Sequence, residues 1–235
     1  MKFTCTIEHL PGSRPLETPP RPPRHVAGHR AGYDTGFGMD AAPDADDLNH
    51  GGDYGQRPVP ASGLPLPVRD RIVLDAVPGE VPWHIALKFL GYLLYREWEP
   101  RVEESVGWHY KPDLVSLDAA GNIRLWLDCG NIAARKTDRV TAKLGEDTPF
   151  RILRRTEKDA RQLAATLAGK VRHPQRVRLI AFDAGFVDAI AAGLDSTNRI
   201  KALRGADRLD LTFETRQDRV ELHSRLHVLG LEKQP

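Results

Sequence analysis

Two acids in the middle of this chain stand where they can share a divalent cation. Asp113 follows Pro112 at the head of one apolar run, and Asp128 lies near the end of the next, in the stretch YKPDLVSLDAAGNIRLWLDCGNIAARKTDRVTAK (110–143). A Gly-Asn turn separates the runs, and Lys and Arg follow the second. Carboxylates gathered at one end of a β-hairpin can hold Mg²⁺, which takes one or two carboxylates and keeps several waters. A metal so held polarises a scissile phosphate and generates hydroxide, which is the chemistry of phosphodiester cleavage.

The hairpin must bring the acids together. Residues 111–117 and 123–129 read as strands, and Asp118 to Asn122 reads as a short turn between them. Paired residue numbers in an antiparallel hairpin sum to a constant. If Asp118 and Asn122 close the turn the sum is about 240, which sets Asp128 opposite Pro112 and beside Asp113. A shift of one residue sets Asp113 directly across from Asp128. In either register their β-carbons fall within roughly 4.5–8 Å. Like charges that close are destabilising unless something neutralises them, and a metal ion would do so. The plainer alternative is two strand-end acids facing water, each paired with a nearby Lys or Arg.

A helix is expected to stand beside the hairpin. VPWHIALKFLGYLLYREW (81–98) has Pro82 in its first turn and an interior rich in Leu and Ala. It is apolar on most sides, which marks a buried helix. Its few polar residues form one row: Glu80, His84 and Lys88 are spaced i, i+4, i+8 and share a face. Glu80 or His84 is therefore a candidate third metal ligand. The plainer reading of the row is the one wet stripe of a buried helix.

Other segments complete the frame. Strands are expected at 3–9, 71–77, 150–155, 176–182, 209–214 and 219–226, and helices at 137–144, 157–171 and 186–194. Thr156, with Asp159 three residues on, reads as an N-cap. Interleaved strands and helices point to an α/β or α+β domain with a mixed sheet. Between the first two strands the composition changes. Pro11 to Pro67 holds eleven of the eighteen prolines and nine of the twenty glycines, with little apolar periodicity, so a loop or disordered insertion at 11–67 is expected within a single domain of 1–10 and 68–235. His25, His29 and His50 fall in that tract and read as solvent-exposed passengers.

Composition excludes several classes. No run approaches the roughly 18 apolar residues a membrane helix needs. MKFTCTIEHL lacks the cationic-then-apolar order of a signal peptide, so a soluble cytoplasmic protein is expected. Cys5 and Cys129 read as reduced buried thiols, and no spaced Cys/His set suggests zinc. The net charge of +2 hides an asymmetry: Arg135 to Arg176 holds twelve Lys or Arg against five Asp or Glu. That local excess of +7 directly follows the hairpin and could attract phosphates, with a solvated helix face as the plain alternative.

PDLVSLDAAGNIRLWLDCGN (112–131) resembles the YaeQ family, whose matching region runs Pro-Asp-Leu, a turn, then Leu-Trp-Ile-Glu-x-Gly. KFTCTIEH and RIVLDAVPGEVPWHIALKFLGYLLY resemble that family's first two strands and first helix, so the likeness spans residues 1–9 and about 69–228. The resemblance implies a restriction-endonuclease-like mixed β-sheet flanked by helices, in the PD-(D/E)XK nuclease superfamily. It implies Asp113 as the first metal-binding acid and Asp128 as the second. The superfamily's lysine, two places after the second acid, falls at Gly130. YaeQ-like sequences also have Gly there and carry basic residues in the next helix, so Lys136, Arg139 and Lys143 are the candidates to take its role. Glu80 lies nearest to the glutamate expected on the first helix. Two functions follow as expectations: a Mg²⁺-dependent nuclease using Asp113, Asp128 and Lys136 or Lys143, or an inactive nuclease-fold protein that binds nucleic acid or a protein through its basic helices.

Overall fold

A ten-stranded mixed sheet curls around one apolar helix and sets the hairpin acids at the ends of two strands close to one edge of the strand order. The computed structural model describes residues 1–20, 68–214 and 219–231. The chain begins with β1 (Lys2–His9) and β2 (Val68–Asp75), an antiparallel pair. Then come α1 (Pro82–Leu94), β3 (Arg101–Val102), β4 (Leu114–Leu117) and β5 (Ile123–Cys129). α2 (Ala134–Lys143), β6 (Phe150–Arg154), α3 (Glu157–Leu167), β7 (Val177–Phe182) and α4 (Phe186–Gly193) follow. β8 (Thr197–Arg204), β9 (Arg208–Glu214) and β10 (Arg219–Gly230) complete the order. Across the sheet the strands run β2-β1-β8-β9-β10-β7-β6-β5-β4-β3. β1–β8, β5–β6 and β6–β7 are parallel pairs and the others are antiparallel.

α1 is the axis of the core. Ile85, Leu87, Phe89, Leu90, Leu93 and Leu94 are buried, and the helix packs against β2 at one end of the strand order and β3 and β4 at the other. Each such side chain contributes about 1.5–3 kcal/mol when fully buried. Gly91 lets the helix approach the hairpin, since a β-carbon there would stand 3.1 Å from Leu114. The helix ends at Leu94, short of the expected Trp98, and a 3-10 turn covers Arg96–Trp98. Glu99 closes that turn in the left-handed region, φ 53°, with its N–H donating to Arg96 O at 2.9 Å.

β5 divides the interior. Leu125, Leu127 and Cys129 face the cluster built on α1, whereas Trp126 belongs to the cluster that takes Val140 of α2 and Leu163 of α3. Strand alternation does this: successive side chains point to opposite faces. α3 begins as expected, with Thr156 Oγ1 accepting from the Asp159 N–H at 3.1 Å.

β3 and β8 were not expected from the sequence. β3 has only two residues. β8 buries Asn198, Ile200, Ala202 and Arg204 in alternation, so half of its inward positions are polar and its pattern does not read as apolar. The part of the Pro/Gly tract at 11–20 is packed rather than loose. Leu16 meets the core, and the Glu17 carboxylate accepts from Arg151 Nε at 2.9 Å and Nη2 at 2.7 Å. A charge partner far along the chain, together with Leu16 against the core, holds this segment, which composition does not reveal. Residues 21–67, with His25, His29 and His50, lie outside the described residues.

Candidate functional site

The hairpin contains both registers considered from the sequence. At the turn the Asp118 N–H donates to Asn122 O at 2.9 Å, and Leu117 pairs with Ile123, so the pair sum is 240. An irregularity between Ser116 and Leu117 then shifts the ladder, and Leu114 pairs with Leu127. Beyond that pair Asp113 straddles Asp128 along the neighbouring strand. Its N–H donates to Leu127 O at 3.1 Å, and its Oδ2 accepts from the Cys129 N–H at 2.6 Å. The acids are neighbours across the strand pair, and the Asp113 charge acts on Asp128.

Their partners come from different helices. Asp128 is 2% exposed. Its Oδ1 accepts from Lys136 Nζ at 2.8 Å, and its Oδ2 from Trp126 Nε1 at 3.1 Å. Lys136 sits in the first turn of α2 and also donates to Lys111 O at 3.1 Å. On the other side of the hairpin Asp113 Oδ2 lies 3.5 Å from His84 Nε2 of α1. His84 Nδ1 stands 2.6 Å from Glu80 Oε1, which is also 2.6 Å from Lys88 Nζ. Lys88, buried in α1, donates in turn to Glu103, which also meets Lys111 Nζ at 3.4 Å. The row Glu80–His84–Lys88 is therefore a contiguous chain of charges that ends on Asp113.

Electrostatics separate the two acids. Burial pushes the Asp128 carboxyl up, the Asp113 charge adds to it, and Lys136 and Trp126 offset only part, leaving its pKa at about 6. Burial also acts on Asp113, but His84, the Cys129 N–H and Lys88 outweigh it and hold the group below the usual carboxylate range. His84 is pulled the opposite way. Burial disfavours its charge, yet Asp113 and Glu80 raise its pKa above the ordinary value. Both ring nitrogens face only acceptors, the Glu80 carboxylate on one side and Cys129 O with Asp113 on the other, which suits the imidazolium.

Gly130 has a structural reason for not being lysine. Its φ is +75°, and a β-carbon there would stand 2.8 Å from the Trp83 ring. The backbone cannot carry a side chain at that position without displacing Trp83, on whose face Arg155 lies at 5.3 Å. Lys136 brings an ammonium to the same carboxylate from α2.

The other sequence candidates lie elsewhere. Glu80 does not join the acids, because His84 and Lys88 take its carboxylate and His84 intervenes. Among the described residues no group of three His, Cys, Asp or Glu is placed to hold a metal ion. Lys143 is two helical turns beyond Lys136, and its Nζ lies over the Trp108 ring at 5.3 Å. It does not serve the acids. Glu103 and Trp108 were not singled out from the sequence. Glu103 has no spacing relation to the hairpin, but the run Trp108-His109-Tyr110 just before Asp113 was a visible signal. Cys5 and Cys129 are free and buried, and burial holds both thiols well above their usual range.

Two solved structures share this arrangement of strands and helices. The YaeQ protein from Xanthomonas axonopodis pv. citri matches with a TM-score of 0.54 at 14% identity, over 71% of this chain and 90% of that one. The chain has the fold of the YaeQ proteins. The YaeQ protein from Pseudomonas syringae gives the same TM-score at 12% identity, over 72% of this chain and 88% of its own. No family model and no curated protein matches the sequence. The YaeQ fold thus carries over at an identity where side chains do not, and the chemistry rests on the residues described above. No described helix is long and apolar enough to cross a membrane.

Proposed function

We propose that the hairpin acids form a Mg²⁺-dependent phosphodiester hydrolase site, with Asp113 and Asp128 as the metal-binding pair and Lys136 as the lysine that the position of Gly130 cannot supply. The observation that carries this reading is the 2.8 Å contact from Lys136 Nζ to Asp128 Oδ1 beside the second carboxylate. The donor set fits a hard cation: two oxygen ligands suffice for Mg²⁺. Lys136 neutralises only one of the pair, and Asp128 stays hard to ionise in spite of it. Mg²⁺ when bound would supply phosphate polarisation and an activated water.

The chain's own residues do the rest. Lys136, freed from Asp128, places positive charge where a phosphate becomes more anionic. His84 holds Asp113 in place and keeps its oxygen charged. Glu80, itself held by Lys88, favours the charged form of His84. The Trp126 indole N–H orients Asp128.

A second reading has its own observation. Both oxygens of Asp128 already have partners and the residue is almost fully buried. A scaffold that binds nucleic acid without cutting it would look the same. Incubating the protein with labelled DNA and RNA in Mg²⁺, Mn²⁺ or EDTA separates the two. Metal-dependent cleavage lost by at least about 100-fold in Asp113→Ala and Asp128→Ala supports the hydrolase. Salt-sensitive binding with no cleavage in any metal leaves the scaffold.

A further inference from the structure

Lys143 failed as a partner for the acids because it lines a separate groove. Trp108, Tyr110, Arg139, Val140, Lys143 and Arg172 enclose about 310 Å³ beside α2, with a mostly apolar wall. One face of the Trp108 indole stacks on Trp126 at 5.4 Å and 27°, and the Lys143 ammonium lies over its ring at 5.3 Å. His109 meets the Tyr110 ring edge-on at 4.9 Å. Arg172 is tied to Asp138 at 2.9 Å, but Arg139 and Lys143 have no carboxylate partner among the described residues. A flat apolar wall under two unpaired cations suits a flat group joined to an anion.

The groove is coupled to the acids twice. Trp126, which supports Trp108, also donates to Asp128. Lys136 and Lys143 are seven residues apart on α2, so they share a face roughly 10 Å apart. A backbone passing from Lys143 to Lys136 would leave its next phosphates at Asp128.

We propose that this groove takes an unpaired nucleobase of a single-stranded nucleic acid, stacked on the Trp108 face that Lys143 now covers, with the flexible Lys143 swung aside to join Arg139 along the strand's phosphates. The inference rests on reading the acid pair as a phosphodiester site and names the substrate class of that site. Single strands are favoured because a base in a duplex is already stacked and paired, whereas a free base offers its π-face to an aromatic wall.

The test is fluorescence anisotropy with a labelled oligothymidylate, in EDTA and low salt. Wild-type protein is expected to bind, to weaken as salt rises, and to prefer the single strand over a duplex of equal length. Lys143→Glu, Arg139→Glu and Trp108→Ala should each weaken binding about tenfold or more, with Trp108→Phe retaining most of it. Arg161→Glu, an exposed charge reversal on α3, should change it less than about twofold. Lys143→Glu and Arg139→Glu alter exposed residues, so the result does not depend on how well Trp108→Ala folds. No binding at low salt, equal binding of duplex, or equal losses from Arg161→Glu and Lys143→Glu would each overturn the groove. Its fate is separate from that of the hydrolase. Groove-dependent binding without metal-dependent cleavage keeps the groove and removes the hydrolase; cleavage with unaltered Lys143→Glu binding does the reverse.

Discussion

Two sets of paired carboxylates in this molecule are built on different rules. Away from the hairpin end the partner is arginine and the contact is forked. Glu97 meets Arg204 at 2.9 Å and 2.5 Å, and Arg204 also donates to Leu93 O. Glu17 takes both Nε and Nη2 of Arg151. Arginine stays charged at any working pH, and its planar fork matches a carboxylate, so such ties are fixed. Burial works against the Glu97 carboxylate, but Arg204 more than offsets it and holds the group below its usual range. At the hairpin end the partners are a single lysine and a single histidine. Asp128 keeps a raised pKa of about 6 there. Forked arginine pairs join elements, whereas on the hydrolase reading the lysine and histidine contacts would give way to an incoming cation or phosphate.

The largest effect should come from breaking a fixed tie. Glu97→Ala leaves Arg204, 3% exposed, without its counter-charge, and should cost about 3–5 kcal/mol in chemical denaturation. Next, Lys136→Ala should lower metal-dependent cleavage by about 10²–10³-fold; it leaves the buried Asp128 without its cation, but that carboxyl can take up a proton, so the loss of stability should stay below that of Glu97→Ala and shrink as pH falls through about 6. A loss of stability as large as that of Glu97→Ala would erase the distinction between the two sets.

Asp128→Asn sharpens the comparison through pH. The folded carboxyl titrates near 6 and the ordinary carboxyl near 3.8, so the folded state binds the proton more tightly. The resulting stabilisation is complete below about pH 4 and is lost as pH rises through about 6. In EDTA the variant should therefore gain stability over wild type across that window, by about 1–3 kcal/mol at pH 8, and show no such gain at pH 4. A constant difference at every pH would mean that Asp128 is as well matched as Glu97. Gly130→Ala should cost about 1–3 kcal/mol, from its positive φ and the overlap with Trp83. Arg161→Ala, which loses only an exposed i, i+4 contact to Glu157, should change stability by less than about 0.5 kcal/mol.

Local patterns in the sequence were reliable where a single element carries them. The apolar run of α1, the Thr156 cap, the Asp118–Asn122 turn and the Glu80–His84–Lys88 row all stand where periodicity and turn chemistry put them. Features that depend on a partner far along the chain were not legible. β8 carries Arg204 inward because Glu97, 107 positions earlier, receives it, and that partner leaves no mark on the strand's own pattern. Residues 11–20 look like the rest of a Pro/Gly tract until Arg151, more than 130 positions away, accounts for Glu17.

By itself the sequence determined that Asp113 and Asp128 would be neighbours, because a hairpin's turn fixes its register to within one residue. It also put Gly130 where a lysine was looked for, and offered Lys136 and Lys143 of the next helix as candidates to meet Asp128. Only the tertiary structure decided which one. Lys136 and Lys143 share a face of α2, but its first turn meets Asp128 and its last meets Trp108. Spacing along a helix says which residues face the same way; where the helix is docked says what each of them faces.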